Sequence, residues 1–360
     1  MDLGYRDDWP EARERILAWW EGEIIDRVAI RVVAPKGPRR VVEPPADIEA
    51  RWTDVEFVVD NVDAGIEATF WGGEAVPYTF VNLGPTVMGA YLGCPLHHDE
   101  RTGWQTPIVR DASDWEKIEF DPENRWWKLT KRITEALVES GAGKFFVAHT
   151  DIGDPGDAMS YLRGPEDLCI DLMEIPETLY AVRDRLLSLW YRLYDELHEI
   201  VQRKMTGSSC WMGAWSPGKY YTLQSDFSCM ISAQTYKGFI LPEIVSQAKW
   251  LDHTIYHLDG PGAIQHLDML LEIPELGGIQ WVPGAGAPPP KDWPDLLKRV
   301  QAAGKLLWLD AARDDIEPIL EFLSPKGIMF NTWCSSEEEA RDLLKKAETW
   351  TAKAAKGGRA

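Results

Sequence analysis

The alternation of short apolar runs with helical stretches restricts the fold of this chain more than any other feature. Apolar, β-branched runs that end at glycine or a polar residue predict strands, and the stretches between them have the apolar periodicity of helices. Strands or short extended elements are predicted at 78–84, 144–149, 208–215, 225–230, 254–258, 278–282, 305–309 and 327–331. About eight strand–helix units in roughly 270 residues match the usual size of a (β/α)8 barrel.

We therefore predict an α/β fold, a (β/α)8 TIM barrel that occupies residues 76–350. Residues 1–75 contain two helical patterns and a strand pattern at 26–33, and we expect them to form an extension packed on the barrel. Residues 351–360 are small and polar and are expected to form a mobile tail. A doubly wound open sheet is the rival fold, but no G-x-G-x-x-G motif follows the first strand.

The charge balance excludes several classes of partner. Lys plus Arg number 38 and Asp plus Glu number 58, a net charge of −20, which argues against nucleic acid or an anionic membrane bound through the general surface. No apolar run approaches the length of a membrane span, and the acidic segment 1–8 does not resemble a signal peptide. Five cysteines without a C-x-x-C pair do not predict a disulfide framework. We expect a cytoplasmic protein, and the sequence leaves its oligomeric state open.

Polar and aromatic residues recur where the predicted strands end, and barrel enzymes place their chemistry at the C-terminal ends of strands. We predict catalytic roles for Asp226, His257 and Asp259. We predict that the substrate is bound by Asn82, Asp151, Trp215, Trp281 and Asn331. Loops are polar in any protein, so part of this set is expected to have no role.

His257 and Asp259 are two residues apart on a predicted strand, so their side chains point to the same side. Such a pair can bind a divalent metal, relay a proton or hold a polar substrate; alternatively, Asp259 only orients the imidazole. Cys334 follows the last predicted strand, which in a closed barrel returns beside the first. A His257, Asp259 and Cys334 site would suit zinc, which accepts N, O and S ligands; the alternative is a loop cysteine without a role.

Several segments between about residue 76 and residue 348 resemble the uroporphyrinogen decarboxylase superfamily. They are Asn82-Leu83-Gly84, residues 162–167, residues 172–177, Asp226 before Met230-Ile231-Ser232, residues 239–242 and His257-Leu258-Asp259-Gly260. The resemblance implies the same (β/α)8 barrel. The family holds true decarboxylases and also zinc-dependent methyltransferases that work with corrinoid proteins.

The resemblance is closer to the methyltransferase branch. The arginine-rich motif of the true decarboxylases is missing from residues 29–35. The methyltransferases bind zinc through H-x-C-G and a cysteine after the last strand. His257 and Gly260 match that motif, Asp259 stands at the cysteine position, and Cys334 corresponds to the last ligand.

The resemblance thus implies a zinc-dependent enzyme that moves a methyl group between a methylcobamide on a corrinoid partner protein and a thiol-type acceptor. Its zinc ligands would be His257, Asp259 and Cys334. Two alternatives remain at this point. One is a metal-independent decarboxylase or lyase in which His257 and Asp259 form an acid/base dyad. The other is a non-catalytic barrel that binds a small molecule.

Overall fold

The computed structural model describes residues 3–357, along which helices and strands alternate. The helices are α1 (Trp9–Trp20), α2 (Ile48–Thr53), α3 (Val55–Glu67), α4 (Met88–Tyr91), α5 (Arg125–Gly141), α6 (Pro155–Arg163), α7 (Pro165–Glu174), α8 (Pro176–Gln202), α9 (Ala233–Phe239), α10 (Leu241–Trp250), α11 (Gly260–Ala263), α12 (Leu267–Leu271), α13 (Pro294–Ala302), α14 (Ile316–Leu320) and α15 (Glu337–Gly357). The strands are β1 (Ala29–Pro35), β2 (Thr69–Gly73), β3 (Tyr78–Phe80), β4 (Leu96–His98), β5 (Gly103–Gln105), β6 (Phe146–Ala148), β7 (Tyr220–Leu223), β8 (His253–Asp259), β9 (Gly278–Val282), β10 (Leu306–Asp310) and β11 (Ile328–Trp333).

Seven strands form the main sheet, in the order β2-β1-β11-β10-β9-β8-β7. The six strands β1, β11, β10, β9, β8 and β7 are parallel to their neighbours in the sheet. Strand β2 pairs with β1 in the antiparallel direction and forms one edge of the sheet. Strands β3 and β6 form a separate parallel pair, and β4 with β5 forms a small antiparallel pair. The fold is therefore mixed α/β with a parallel sheet and helices, similar to a TIM barrel. In residues 3–357 the strand ladders do not run continuously around a closed barrel, so closure stays a prediction.

Strand β1 joins the two ends of the chain. It lies in the segment predicted to be an N-terminal extension, and it pairs in parallel with β11, which places Arg31 opposite Asn331. The domain boundary at residue 75 stays a prediction. At the other end, α15 continues to Gly357 through most of the predicted tail, and residues 358–360 lie outside the described residues.

Strand β10 is apolar up to its last residue because helices cover the sheet. Residues 306–309 are all buried, the pattern expected of parallel strands that are covered on both faces. Helix α8 buries one stripe, formed by Leu179, Val182, Leu186, Leu193 and Leu197. Buried residues from the sheet and from these helices form one core. Among the described residues no helix is long and apolar enough to cross a membrane.

Two predicted elements differ from the structure. Residues 208–215 were expected to form a strand, but only an isolated bridge joins Ser208 to Ser216. Gly207 and Gly213 have φ values of 90° and 82°, which interrupt an extended chain. The strand of this unit is β7, and residues 226–230, predicted as a further short element, form a 3-10 turn after it.

Replacing Arg27 with methionine is expected to lower the free energy of unfolding by about 3–5 kcal/mol, because Glu74 would remain buried without a counter-charge. Arg27 Nη1 and Nη2 donate to the two carboxylate oxygens of Glu74 at 2.8 and 2.9 Å. Urea unfolding measures the loss. Arg15→Met is the control: it breaks a more exposed pair with Asp26 and should cost about 1 kcal/mol or less. Equal losses in both variants would contradict the prediction.

Candidate metal centre

The structure brings the three predicted catalytic residues together. His257 and Asp259 lie at the C-terminal end of β8 and point to the same side, because side chains alternate along a strand. Asp226 begins the turn that follows β7, the neighbouring strand. One ligand atom of each side chain lies within 4.8 Å of the others. An imidazole and two carboxylates at this spacing can hold a metal ion.

Asp226 is held in place by a buried carboxylate. Asp157 Oδ2 accepts the backbone N–H of Asp226 at 3.0 Å, and Asp157 Oδ1 accepts that of Phe227 at 2.8 Å. Asp157 lies in the first turn of α6, where Asp154 caps the helix by accepting its N–H at 2.7 Å. Burial and the neighbouring charge of Asp226 raise the pKa of Asp157 to about 7. Asp157 is not among the predicted site residues, although Asp154-Pro155 is a recognisable helix start.

Negative charge is concentrated around this group. Burial raises the pKa of Asp151 to about 6; the charge of Asp226 adds to the shift, and His257 opposes it. Partial desolvation of its carboxylate also raises the pKa of Asp226, whose side chain is still exposed to solvent; His257 opposes this rise and Asp259 adds to it. These carboxyls repel one another when ionised, so a cation bound among them would be favoured.

A chain of hydrogen bonds orients His257. Its Nδ1 lies 2.8 Å from Gln280 Oε1, and Gln280 Nε2 donates to Asp310 Oδ2 at 2.9 Å. An ionised carboxylate only accepts hydrogen bonds, so Gln280 turns its NH2 group toward Asp310 and its oxygen toward the imidazole. In the neutral imidazole this arrangement places the proton of His257 on Nδ1, which leaves the lone pair of Nε2 free. A hydrogen bond of this kind on the second nitrogen is typical of histidines that bind metal.

Trp211, rather than the predicted Trp215, is the tryptophan beside His257. The two rings meet edge to face, with centroids 5.3 Å apart. Trp215 is buried against Trp9, with centroids 5.2 Å apart. Its backbone oxygen accepts a hydrogen bond from Trp20, whose ring lies against His253 at the start of β8. Trp215 thus lies at the opposite end of the strand from His257. The turn around Gly213 separates the two tryptophans, which the predicted strand at 208–215 did not anticipate.

The other predicted residues are more dispersed. Trp281 is fully buried and packs on Trp293, with ring centroids 5.1 Å apart. It pairs with Leu258, so it faces away from His257. Asn82 is exposed, and its Oδ1 accepts the N–H of Gly84 at 3.0 Å.

Asn331 lies on the last strand, β11, and Cys334 is the first residue after that strand. Asn331 Nδ2 donates to Asp310 Oδ1 at 2.5 Å, so Asn331 belongs to the chain that orients His257. Cys334 is buried, and its N–H donates to Val33 O at 2.9 Å. Burial raises the pKa of its thiol. The cluster within 4.8 Å contains Asp226 and not Cys334.

The free energy of unfolding of the metal-free protein is expected to fall as pH rises from about 4 to about 7. The pKa of Asp157 is about 7 in the folded protein, whereas the ordinary value for an aspartate is 3.8. Between these two pH values Asp157 is therefore protonated in the folded protein and ionised in the unfolded chain. Stability falls with pH wherever the folded state binds more protons, by up to about 1.4 kcal/mol per pH unit for one site.

Asp157→Asn should flatten this slope, and urea unfolding at several pH values in a chelator measures it. Asp342→Asn removes an exposed carboxylate of α15 that pairs with Lys346, so it serves as the control and should leave the slope unchanged. The same slope in Asp157→Asn as in the unsubstituted protein would refute the prediction.

Comparison with known proteins identifies the fold. No protein-family model matches the chain, and no curated protein does. Among solved structures it is similar to a methyltransferase from Methanosarcina mazei, with a TM-score of 0.63 and 14% identity over 94% of this chain and 98% of that one. A B12-independent methionine synthase from Shewanella sp. W3-18-1, in complex with selenomethionine, matches with a TM-score of 0.43 and 10% identity over 91% of this chain and 98% of that one. At such identity the first likeness shows a TIM-barrel-like fold alone.

Proposed function

We propose that this chain is a zinc-dependent, methyltransferase-like enzyme on a closed (β/α)8 barrel, which moves a methyl group between a corrinoid carrier and a thiol-type acceptor. The observation that carries the proposal is the group of one imidazole and two carboxylates within 4.8 Å at the C-terminal ends of neighbouring strands. The likeness of fold to a Methanosarcina mazei methyltransferase agrees with it, and so does the sequence resemblance to the corrinoid-dependent branch.

The donor set suits zinc. Catalytic zinc uses three protein ligands from His, Asp, Glu and Cys and keeps one position open. His257, Asp259 and Asp226 supply one nitrogen and two oxygens, and the open position would take the acceptor. Carboxylates are harder ligands than the thiolates of the related methyltransferases. Cys334, the third ligand that the resemblance implies, is the alternative to Asp226.

Bound zinc would supply Lewis acidity, which deprotonates a coordinated thiol and so generates the nucleophilic thiolate. The chain's own residues perform the remaining tasks. Gln280 orients His257 through Nδ1, so Nε2 would be the ligand atom. Asp157 fixes the backbone of Asp226. Asp151, ionised at neutral pH because its pKa is about 6, can accept the proton that the thiol releases. Trp211 covers one edge of the imidazole and excludes water there.

The metal-independent alternative has less support. An acid/base dyad requires Asp259 to hold the imidazole, but the hydrogen bond of His257 Nδ1 goes to Gln280 Oε1 instead. A carboxylate partner would raise the basicity of the imidazole, whereas a neutral amide mainly fixes its orientation. The observed arrangement favours a ligand over a general base.

Methyl transfer is tested with zinc-loaded protein, methylcobalamin and a panel of small thiols. The methyl group leaves cobalt without its bonding electron pair and forms a carbon–sulfur bond. The products are a thioether, seen by mass spectrometry, and a reduced cobalamin, seen by its absorption. Formation of both products, abolished by a chelator, is expected. Zinc-loaded protein that yields no thioether with any thiol, or equal rates after zinc removal, would overturn the proposal.

A further inference from the structure

Arg31 is the exception among the buried arginines of the described residues. Four arginines are buried, and three of them form ion pairs: Arg6 with Asp8, Arg27 with Glu74 and Arg183 with Asp184. Arg31 is 8% exposed, and among residues 3–354 it forms no ion pair with a carboxylate. A buried charge without a counter-charge is costly, so a counter-anion from outside the chain would be favoured here.

The donors of Arg31 are only partly used. Its Nη1 donates to Asn331 Oδ1 at 2.6 Å. Its Nε is buried without a hydrogen-bond partner, and no hydrogen bond of the described residues uses Nη2. Nε and Nη2 form one edge of the guanidinium, and that edge matches the two oxygens of a carboxylate.

No acidic side chain of this cavity forms a direct ion pair with Arg31. It lines a cavity of about 680 Å³ together with Asp310, Arg313, Asn331 and Glu339. Both oxygens of Asp310 accept hydrogen bonds from amides, those of Asn331 and Gln280. Arg313 forms an ion pair with Glu339. The cavity is large enough for a small molecule. Of the two arginines that line it, Arg31 is the one with unused hydrogen-bond donors.

This cavity is linked to the candidate metal centre by hydrogen bonds, because its lining residue Asp310 accepts from Gln280, which in turn bonds His257. The guanidinium carbon of Arg31 lies 5.2 Å from the centroid of the Tyr78 ring, and Tyr78 Oη donates to Trp211 O at 2.9 Å. The ring of Trp211 in turn packs on His257. Two neighbouring aromatic side chains thus lie between Arg31 and His257, and a molecule that contacts both residues must be long enough to span them.

We propose that Arg31 binds the carboxylate group of the acceptor, which makes the acceptor a thiol that carries a carboxylate at its far end. The thiol part of this statement rests on the proposed function. The carboxylate part rests on Arg31 alone and can be tested without metal.

The test measures binding by isothermal titration calorimetry. The probes are ω-mercaptocarboxylates of increasing chain length, from 3-mercaptopropionate to 6-mercaptohexanoate, and the corresponding neutral amides. For at least one length, zinc-loaded protein should bind the acid about tenfold or more tighter than the amide, as expected for hydrogen bonds to a charged group. Arg31→Gln should lose this preference, and Arg31→Lys, which keeps the charge without the planar fork, should keep only part of it.

Arg313→Gln is the matched control, since it removes an arginine of the same cavity that already has a partner; the preference should persist. Unchanged zinc content and melting temperature show that Arg31→Gln is folded. Equal binding of acid and amide at every length, or a preference that survives Arg31→Gln, would overturn the inference.

A second arm separates this inference from the proposed function. Metal-free protein is titrated with hexanoate and hexanamide, which lack the thiol. An Arg31-dependent preference for hexanoate in a protein that fails to bind zinc would refute the zinc function and leave the carboxylate site standing. Absence of that preference in a protein that binds zinc would refute the carboxylate site alone.

Discussion

Replacing His257 with alanine is expected to reduce bound zinc from about one ion per chain to almost none and to abolish methyl transfer. His257 supplies the only nitrogen in the candidate group, and Asp226 with Asp259 alone would leave fewer than the three protein ligands that catalytic zinc requires. Elemental analysis of protein purified without chelators or a histidine tag gives the zinc content.

His97→Ala is the control for that variant. His97 is exposed, and its ring bonds Thr106 at 3.0 Å, outside the candidate group. Its zinc content should equal that of the unsubstituted protein. Full zinc content and turnover in His257→Ala would show that the candidate group does not hold the metal.

The second large effect is expected from Gln280→Leu. Leucine fills a similar volume but cannot accept the proton of His257 Nδ1 or donate to Asp310. Loss of such an outer hydrogen bond typically costs 10–100-fold in metal affinity, so we expect about that increase in the zinc dissociation constant. Competition with a chelator measures it, and nitrogen NMR of the imidazole should show that the Nδ1–H tautomer no longer dominates.

Gln265→Leu provides the comparison, because this exposed glutamine follows β8, the strand of His257, and donates to Gly262 O instead. It should change neither the zinc affinity nor the tautomer. If Gln280→Leu kept both as well, the orienting role of Gln280 would be refuted.

The site residues that can be predicted from the sequence are those whose placement depends only on neighbouring residues in the chain. His257 and Asp259 lie on one strand, and alternation of side chains alone places them on the same side. Asp226 belongs to the short element predicted at 225–230, which the structure places directly after β7. In each case the relevant chemistry is carried by residues close to a strand terminus, where barrel enzymes place it.

The missed residues depend on contacts between distant parts of the chain. Gln280 precedes the more conspicuous Trp281, and only the pairing of β8 with β9 shows that Gln280 is the one that faces His257. Arg31 meets Asn331 across 300 residues through the pairing of β1 with β11. Such pairings come from tertiary packing, which one sequence does not reveal. The predicted strand at 208–215 points to Trp215, but the turn at Gly213 brings Trp211 to His257 instead.

Zinc-edge X-ray absorption of the zinc-loaded protein tests the central claim most directly. If Asp226, His257 and Asp259 bind the zinc, the ion in the thiol-free sample should have only nitrogen and oxygen neighbours, at about 2.0–2.2 Å. Addition of a thiol acceptor should introduce one sulfur at about 2.3 Å. A sulfur neighbour in the thiol-free sample would identify Cys334 or another cysteine as a ligand in place of Asp226. No bound zinc, even after it is offered in excess, would contradict the metal-dependent function.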